Sequence, residues 1–256
     1  MRLALSYLYY RLNAKNLHGV HSPFFYALNR EVLRKKNYPF VEKVEELRDE
    51  LKKNHQKIDL VDLGAGSRVN KSNSRKISEI ARVSSGSKKD LAILHNLAVW
   101  IEAESVLELG TNLGLASIAL SKARSVKKVV SIEGDPTLAA IAVKNLEKFD
   151  LNTEVIQGSF EENIDLALKK LKKIDLAYLD GNHQKEPTLD YFNHIKEYSH
   201  NDTVIVIGDI HWSEEMEEAW EVIKSDQAVA ATADIFSMGI VFFKKELSKE
   251  HFTLYG

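Results

Sequence analysis

The feature that most limits the fold of this chain is a series of short, wholly apolar segments beginning near residue 100. The segments SVLEL, KVVSIE, DLAYLD and TVIVIG do not alternate apolar with polar residues, which is typical of strands buried on both faces. Stretches with helical spacing separate them. An alternation of buried strands and helices predicts a doubly wound α/β fold around a mostly parallel sheet.

This pattern continues to the end of the chain. The last strands, in IFSM and GIVFF, resemble a hairpin, which would add an antiparallel strand at the sheet edge. The prediction is therefore a Rossmann-like, mostly parallel seven-stranded sheet. We predict its strands at 104–109, 128–133, 153–157, 174–179, 203–208, 230–236 and 239–244, and helices at 91–102, 115–124, 136–148, 161–171, 187–199 and 213–225.

Residues 1–90 differ in character from the rest. Helical spacing over 1–55 predicts three helices, one of which begins after Ser22, where Pro23 suits a first helical turn. Residues 64–90 are rich in Ser, Lys and Arg, which favours a loop or a short helix. We expect a helical N-terminal cap with a polar loop at 1–90 and an α/β domain at 91–256.

Composition argues against several classes of protein. The chain has no cysteine, which rules out disulfides and thiolate metal sites, and its net charge of −2 offers no electrostatic case for nucleic acid or an anionic membrane. Its apolar runs are too short to span a bilayer. The first helical segment lacks a small-residue cleavage site, so we assign it to the fold and not to a signal peptide. A soluble, cytoplasmic protein is the expectation.

Two similar glycine loops, VDLGAGSR at 61–68 and LELGTNLG at 107–114, compete as the nucleotide site. Such a site needs a preceding strand, a following helix, and an acid ending the next strand for the ribose hydroxyls. The first loop is followed by polar residues, and no strand ending in an acid appears ~20 residues on. The second leads into an amphipathic helix at Gly114 and then a strand ending in Glu133. We assign the cofactor to the second loop.

The second loop has the form Gly-x-x-x-Gly and lacks the three-glycine pyrophosphate pattern. Glu108 ends the preceding strand, and the loop contains no Lys or Arg to meet phosphates. A carboxylate there favours a ligand that carries a cation. Adenosine with an amino acid tail therefore fits better than a dinucleotide.

Four segments, VLELGTNLGLASIAL, VVSIEGDP, IQGSFEE and IDLAYLDGNH, together resemble the class I S-adenosylmethionine-dependent methyltransferases. More narrowly, the chain resembles the catechol and caffeoyl-CoA type O-methyltransferases, and the resemblance covers about residues 82–244. The resemblance implies S-adenosylmethionine as the cofactor, a small-molecule acceptor, and often a homodimer. It implies a cofactor site formed by Glu108, Gly110, Thr111, Asn112, Gly114, Glu133, Gly158, Ser159, Phe160 and Asp180, with Ser84 and Ser85 in a closing loop. Ser159 is equally well explained as the N-cap of the next helix.

Two carboxylates follow neighbouring strands of the predicted sheet. Asp180 ends DLAYLD and Asp209 follows TVIVIG, so both belong at the carboxyl edge, where this fold binds ligands. The pair is suited to a hard divalent cation such as Mg²⁺. The resembled enzymes use an Asp-Asn pair where this chain has Asp209 and Ile210, and Ile210 cannot ligate. His211 is the candidate replacement and would suit Mn, Fe or Zn better.

His183 follows Asp180 by three residues and is the candidate general base, because imidazole accepts protons near neutral pH. Its alternative is a loop histidine that makes only local hydrogen bonds. Lys185 lies close to the position of the resembled family's catalytic lysine. Trp212 either lines an acceptor pocket or packs under the helix capped by Ser213, whereas His18 and His21 favour structural roles.

The first glycine loop is then free for another use. Its basic residues Arg68, Lys71, Arg75 and Lys76 are candidates for binding an acidic group of the acceptor, although each is individually better explained as solvated. Two rival functions remain at this stage. One is methylation of an RNA nucleoside, which the weak net charge disfavours, and the other is a non-catalytic cofactor-binding protein.

Overall fold

The computed structural model describes residues 2–16, 19–35, 39–61, 74–83 and 86–255. The helices in these ranges are α1 (Arg2–Asn13), α2 (Pro23–Leu28), α3 (Pro39–Leu51), α4 (Ile77–Val83), α5 (Lys88–Trp100), α6 (Leu115–Ser121), α7 (Pro136–Glu147), α8 (Phe160–Leu171), α9 (Lys185–Glu197) and α10 (Glu214–Ser225), with a π-helical turn at Asn29–Leu33. The strands are β1 (Lys57–Asp59), β2 (Ser74–Lys76), β3 (Ser105–Leu109), β4 (Lys128–Glu133), β5 (Thr153–Gln157), β6 (Ile174–Leu179), β7 (Ser199–Gly208), β8 (Ala231–Asp234), β9 (Met238–Phe242) and β10 (Glu250–Thr253).

The predicted α/β, Rossmann-like and mostly parallel fold is confirmed. All seven predicted strands and all six predicted helices of the region after residue 91 are present, with ends displaced by up to four residues. The residues of β3 and β6 are all buried, as their uninterrupted apolar sequences predicted. Pro23 opens α2, as predicted. No helix in the described ranges is long and apolar enough to cross a bilayer.

The chain divides into two compact units, Asn37–Lys172 and Met1–Lys36 with Lys173–Gly256. In the first, β3, β4 and β5 are parallel, with Glu108 opposite Ser131 and Glu133 opposite Gln157. Helices α3, α4 and α6 share a buried apolar cluster in this unit. Strands β1 and β2 form a separate antiparallel pair. These compact units are not the same as the predicted domains. Compactness alone does not show which residues fold independently, so the domain boundary at residue 90 stays a prediction.

The second unit differs from expectation at the sheet edge. Its strands follow the order β10-β8-β9-β7-β6, in which β6 and β7 are parallel while β9 is antiparallel to both β7 and β8. The predicted hairpin is therefore present as β8 and β9. It does not form the edge, because β10 pairs with β8 in parallel and makes an eighth strand beside the seven predicted. The segment of β10, EHFT, is too polar to have been recognised as a strand.

Candidate functional site

The glycine loop between β3 and α6 uses three residues with left-handed backbone conformations. Gly110, Asn112 and Gly114 have φ values of 101°, 52° and 83°. Gly114 is the N-cap of α6, and a Cβ built on it would lie 3.4 Å from both the Cα and the carbonyl oxygen of Ala142 in α7. Gly114 is therefore favoured by its left-handed backbone conformation, while a Cβ there would only come into van der Waals contact with α7.

Glu133, at the end of β4, holds this loop. Its Oε2 accepts a hydrogen bond from the backbone N–H of Asn112 at 2.7 Å, and its Oε1 accepts one from Asp135 at 3.0 Å. Burial raises the pKa of Glu133, although these backbone donors act in the opposite direction. A carboxylate has about four acceptor positions, so two backbone contacts leave capacity for a ligand diol.

Glu108 lies deeper than its sequence position suggested. Its side chain is fully buried, and its Oε2 accepts hydrogen bonds from the hydroxyls of Ser117 in α6 and Ser131 in β4. The Thr111 and Ser131 hydroxyl oxygens lie 2.5 Å apart, which extends the network into the glycine loop. These contacts show Glu108 bracing the loop from inside, while its predicted contact with a ligand stays a prediction. Sequence reasoning missed both serines, because isolated serines carry no pattern.

The loop after β5 holds the remaining predicted cofactor residues of this unit. Gly158, at φ 140°, donates its N–H to the Glu133 carbonyl oxygen at 2.9 Å. Ser159 is the N-cap of α8 and accepts a hydrogen bond from the Glu162 N–H, so the cap interpretation is confirmed. Phe160 follows as the first residue of α8. Gly158 and Glu133 are therefore neighbours across parallel strand ends.

Several predicted residues lie outside the described ranges. These are Ser84 and Ser85 of the expected closing loop, the glycines and the basic Arg68 and Lys71 of the first glycine loop, and His18. Arg75 and Lys76 form part of β2. The roles predicted for all of these residues stay predictions.

In the other unit, Asp180, His183 and Asp209 come together at the ends of the parallel strands β6 and β7. The His183 Nε2 lies 4.0 Å from Asp180 Oδ1 and 3.8 Å from Asp209 Oδ2. One potential ligand atom from each residue lies within 4.8 Å of the others, and all three side chains are half-buried. We call this group the Asp-His-Asp cluster.

Gly208 shapes this cluster, and sequence reasoning did not select it. A Cβ on Gly208 would lie only 2.5 Å from Asp180 Oδ1, so the missing side chain makes room for that carboxylate. The next residue, Asp209, has a φ of 53° and donates its N–H to the Ser237 carbonyl oxygen. A left-handed residue directly after a buried strand turns the chain sharply and is uncommon outside glycine. The sequence signal that could have identified Gly208 is its position at the end of an apolar strand, directly before Asp209.

The structure does not bring His211 into the cluster. Its Nδ1 lies 3.1 Å from Glu217 Oε1 and its Nε2 lies 2.9 Å from Asp234 Oδ2, so carboxylates engage both ring nitrogens. Burial opposes protonation, but Asp234 and Glu217 outweigh it and raise the pKa of His211. The histidine that lies beside Asp180 and Asp209 is therefore His183, and not the predicted His211. Ile210, which lies between Asp209 and His211 in the sequence, is fully buried.

Lys185 is also unsuited to the role predicted for it. Its ammonium donates to Glu218 Oε2 at 2.8 Å, and this hydrogen bond raises the pKa of Lys185. A lysine held in its charged form is a poor proton acceptor.

Trp212 lies near His183, with the two ring centroids 6.5 Å apart. Ser213 is the N-cap of α10, as predicted, because its side chain accepts a hydrogen bond from the Met216 N–H.

Two carboxylates and an imidazole within this distance of each other have two chemical uses. They are a donor set for a divalent cation, and the nitrogen ligand suits Mn²⁺, Fe²⁺ or Zn²⁺ better than Mg²⁺. They equally form a proton-accepting site in which carboxylates orient and stabilise an imidazolium.

Comparison with known proteins finds a similar domain within this chain. Residues 107–210 match a methyltransferase domain family. A stretch of 122 residues is 29% identical to a catechol O-methyltransferase of Niastella koreensis and covers 46% of this chain. The match spans about half, 54%, of that relative's length.

Solved structures share the fold at low sequence identity. An O-methyltransferase from Bacillus cereus in complex with SAH has a TM-score of 0.57 and 19% identity, with coverage of 84% of this chain and 94% of that one. TomG, an O-methyltransferase from Streptomyces achromogenes involved in tomaymycin synthesis and solved with SAM, has a TM-score of 0.57 and 16% identity, with coverage of 82% and 92%. Residues 107–210 of this chain therefore correspond to a methyltransferase domain, within a chain that has the fold of O-methyltransferases solved with SAM or SAH.

Proposed function

We propose that the protein transfers a methyl group from S-adenosylmethionine to a hydroxyl of a small-molecule acceptor. The Asp-His-Asp cluster carries this proposal. It combines two carboxylates and an imidazole at the carboxyl ends of parallel strands, where folds of this class bind ligands. The relation to a catechol O-methyltransferase supports an oxygen acceptor.

The residues around the second glycine loop fit the cofactor. Gly110 and Gly114 leave backbone space, and Glu133 keeps acceptor capacity for the two ribose hydroxyls. The loop has no cation, consistent with a ligand whose tail carries an ammonium and a sulfonium instead of phosphates. Bound S-adenosylmethionine supplies an electrophilic methyl group on that sulfonium.

The chain's own task is then to hold and deprotonate the acceptor hydroxyl. In one form of the proposal His183 takes the proton at Nε2, and the carboxylates of Asp180 and Asp209 stabilise the imidazolium. In the other form all three residues would hold a divalent cation, whose charge would favour the ionised form of the hydroxyl. His183 cannot use the same nitrogen for both tasks, so a substitution separates them.

His183→Asn distinguishes the two forms. Asparagine offers a ligand oxygen but accepts no proton, so a ligand role predicts that the variant recovers activity with added Mn²⁺ or Mg²⁺. A base role predicts loss of activity of 100-fold or so that no metal restores. Prior treatment with EDTA should inactivate the wild type only in the metal form.

The function itself is tested with Asp180→Asn, and Asp190→Asn on the exposed side of α9 is the matched control. We would measure S-adenosylhomocysteine binding by calorimetry and methyl transfer to a panel of catechols and other phenols. The proposal expects micromolar binding in all three proteins and activity lost only in Asp180→Asn. Binding without transfer to any hydroxyl compound would favour a non-catalytic cofactor-binding protein. Transfer to RNA alone would favour an RNA nucleoside methyltransferase. A cytoplasmic location stays a prediction.

A further inference from the structure

The turn that carries His183 begins with a residue in a left-handed conformation. Asn182 has a φ of 55°, and its carbonyl oxygen accepts a hydrogen bond from the Gln184 N–H across His183. A hydrogen bond between residues i and i+2 closes a three-residue turn, so His183 is at the centre of this one. We call residues 182–184 the His183 turn. The direction of the His183 side chain therefore depends on the conformation of this turn.

A side chain from further along helix α9 holds the His183 turn. Gln184 is the N-cap of α9, but its side chain makes no cap hydrogen bond. Tyr191 lies on the buried face of α9, and its hydroxyl oxygen accepts a hydrogen bond from Asn182 Nδ2 at 3.0 Å. Aromatic side chains in a helix point back toward its N-terminus, which brings the Tyr191 hydroxyl to the turn.

The left-handed backbone by itself does not require the Asn182 amide. Glycine adopts the same conformation without steric cost and has no polar side chain to bury. The Asn182 Oδ1 is buried without a hydrogen-bond partner among the described residues, and an unpaired buried acceptor costs free energy. Within the same part of the chain, the Tyr191 hydroxyl is the one partner of this amide. The hydrogen bond to Tyr191 is therefore the use that the structure gives to the amide.

We propose that Asn182 and Tyr191 are positioning residues for His183. Their hydrogen bond fixes the His183 turn against α9. The fixed turn keeps the His183 Nε2 4.0 Å from Asp180 Oδ1 and 3.8 Å from Asp209 Oδ2. This role rests on the proposed function, in which that nitrogen accepts the proton of the acceptor hydroxyl or holds a cation. Displacing a reacting group by ~1 Å can slow a reaction about 100-fold.

Two substitutions break the hydrogen bond from opposite sides. Tyr191→Phe removes only the hydroxyl group, and Asn182→Gly removes the amide while it permits the left-handed backbone. Each should lower kcat about 10-fold or more and change the KM of the acceptor by less than about 2-fold, because the loss concerns the orientation of His183 and not acceptor binding. The double variant should lose no more than the single variants, because all three lack the same bond.

Matched controls are available for both substitutions. Tyr9→Phe changes a tyrosine that is 71% exposed, and Asp150→Gly changes an exposed left-handed residue with a φ of 51°. Both controls should keep the wild-type kcat. A hydrogen bond with a purely structural role would lower the Tm of Tyr191→Phe and leave its kcat unchanged. That result, or losses of kcat that multiply in the double variant, would overturn the proposal.

NMR of the histidine rings tests the positioning role without any activity. The chain has nine histidines, and the ring signal that disappears in His183→Asn is that of His183. Tyr191→Phe and Asn182→Gly should both shift or broaden this signal, whereas Tyr9→Phe should leave it in place. If the wild type transfers no methyl group and these changes still occur, the proposed function fails and the positioning role stands. An unchanged His183 signal in both variants would overturn the positioning role even in an active enzyme.

Discussion

At the scale of single residues, the candidate site depends on side chains that are absent as much as on those present. Gly114 adopts a left-handed conformation at the start of α6, and Gly208 leaves the space that the Asp180 carboxylate occupies. Left-handed Asn112 and Asp209 direct the chain at the two places where ligands are expected. Backbone conformations of this kind are costly and concentrate at functional sites.

Gly208→Ala should separate the cluster from the cofactor site. The added Cβ displaces the Asp180 carboxylate, the flexible end of its side chain, so the fold should persist while turnover falls about 10-fold or more. Affinity for S-adenosylhomocysteine should stay as in the wild type. Gly19→Ala, whose Cβ would meet nothing nearer than 3.6 Å, is the control. Unchanged kcat in Gly208→Ala would count against a role for Asp180 in turnover.

Glu133→Gln should weaken cofactor binding, and its effect on the stability of the fold should depend on pH. Loss of the charged acceptor for the ribose should raise the S-adenosylhomocysteine Kd about 10-fold or more. Because burial raises the pKa of Glu133, its contribution to stability is full below the ordinary value of 4.5 and is lost as pH rises through the folded-state value. Glutamine does not titrate, so the variant does not lose stability in this way as the pH rises. The Tm of the variant minus the Tm of the wild type should therefore increase from pH 4 to pH 7.

Calorimetry and thermal melts over that pH range would check both parts. Glu147→Gln, on the exposed side of α7, is the matched control. An unchanged Kd would remove Glu133 from the cofactor site, and a Tm difference that falls as pH rises would contradict the raised pKa.

At the scale of elements, the α/β repeat places functional residues mainly at strand ends and helix starts. Helices α8 and α10 both begin with a serine N-cap, Ser159 and Ser213, and α5 begins with a full capping box at Ser87. These caps satisfy backbone donors that a helix leaves free at its start. The same position also allows a hydroxyl to face a ligand.

Ser159→Ala and Ser213→Ala should therefore differ in one measurement only. Each variant loses a cap worth about 1 kcal/mol, so denaturant unfolding should show similar destabilisation. If Ser159 also contacts the adenine, its variant alone should bind S-adenosylhomocysteine several-fold more weakly. Equal affinity in both variants would restrict Ser159 to capping.

At the scale of the molecule, one compact unit is formed by two distant stretches of sequence and the other by the stretch between them. Bringing residues 1–36 and 173–256 together closes the long segment between them, which costs conformational entropy. This cost is lower when the intervening segment is itself folded. This connectivity favours coupled unfolding of the two units. Helices α1 and α2 belong to the unit that holds the Asp-His-Asp cluster, whereas α3 belongs to the unit that holds the second glycine loop.

A single thermal transition is therefore expected, and saturating S-adenosylhomocysteine should move all of it. At 100 times the Kd a ligand adds about 2.7 kcal/mol of stability to whatever unfolds with its site. Scanning calorimetry with and without the ligand makes the comparison, and Glu133→Gln, which binds more weakly, should shift less at the same ligand concentration. Two transitions, of which only one responds to the ligand, would show that the units unfold independently.

The sequence by itself determined the repeating part of the molecule. Uninterrupted apolar strands, glycine after β3 and acids at strand ends are local signals, and they located the fold, the Gly110–Gly114 loop and Asp180 and Asp209. The strand β10 was missed because its polar sequence is accommodated only by pairing with β8.

Only the tertiary structure decided which histidine joins the carboxylates. His183 and His211 are both near Asp180 or Asp209 in sequence, yet Glu217 and Asp234, from α10 and β8, engage His211. The same structure left Leu5, Leu8 and Leu12 of α1 exposed and paired Lys185 with Glu218. Local sequence does not encode such choices, because they depend on partners that arrive from elements distant in the chain.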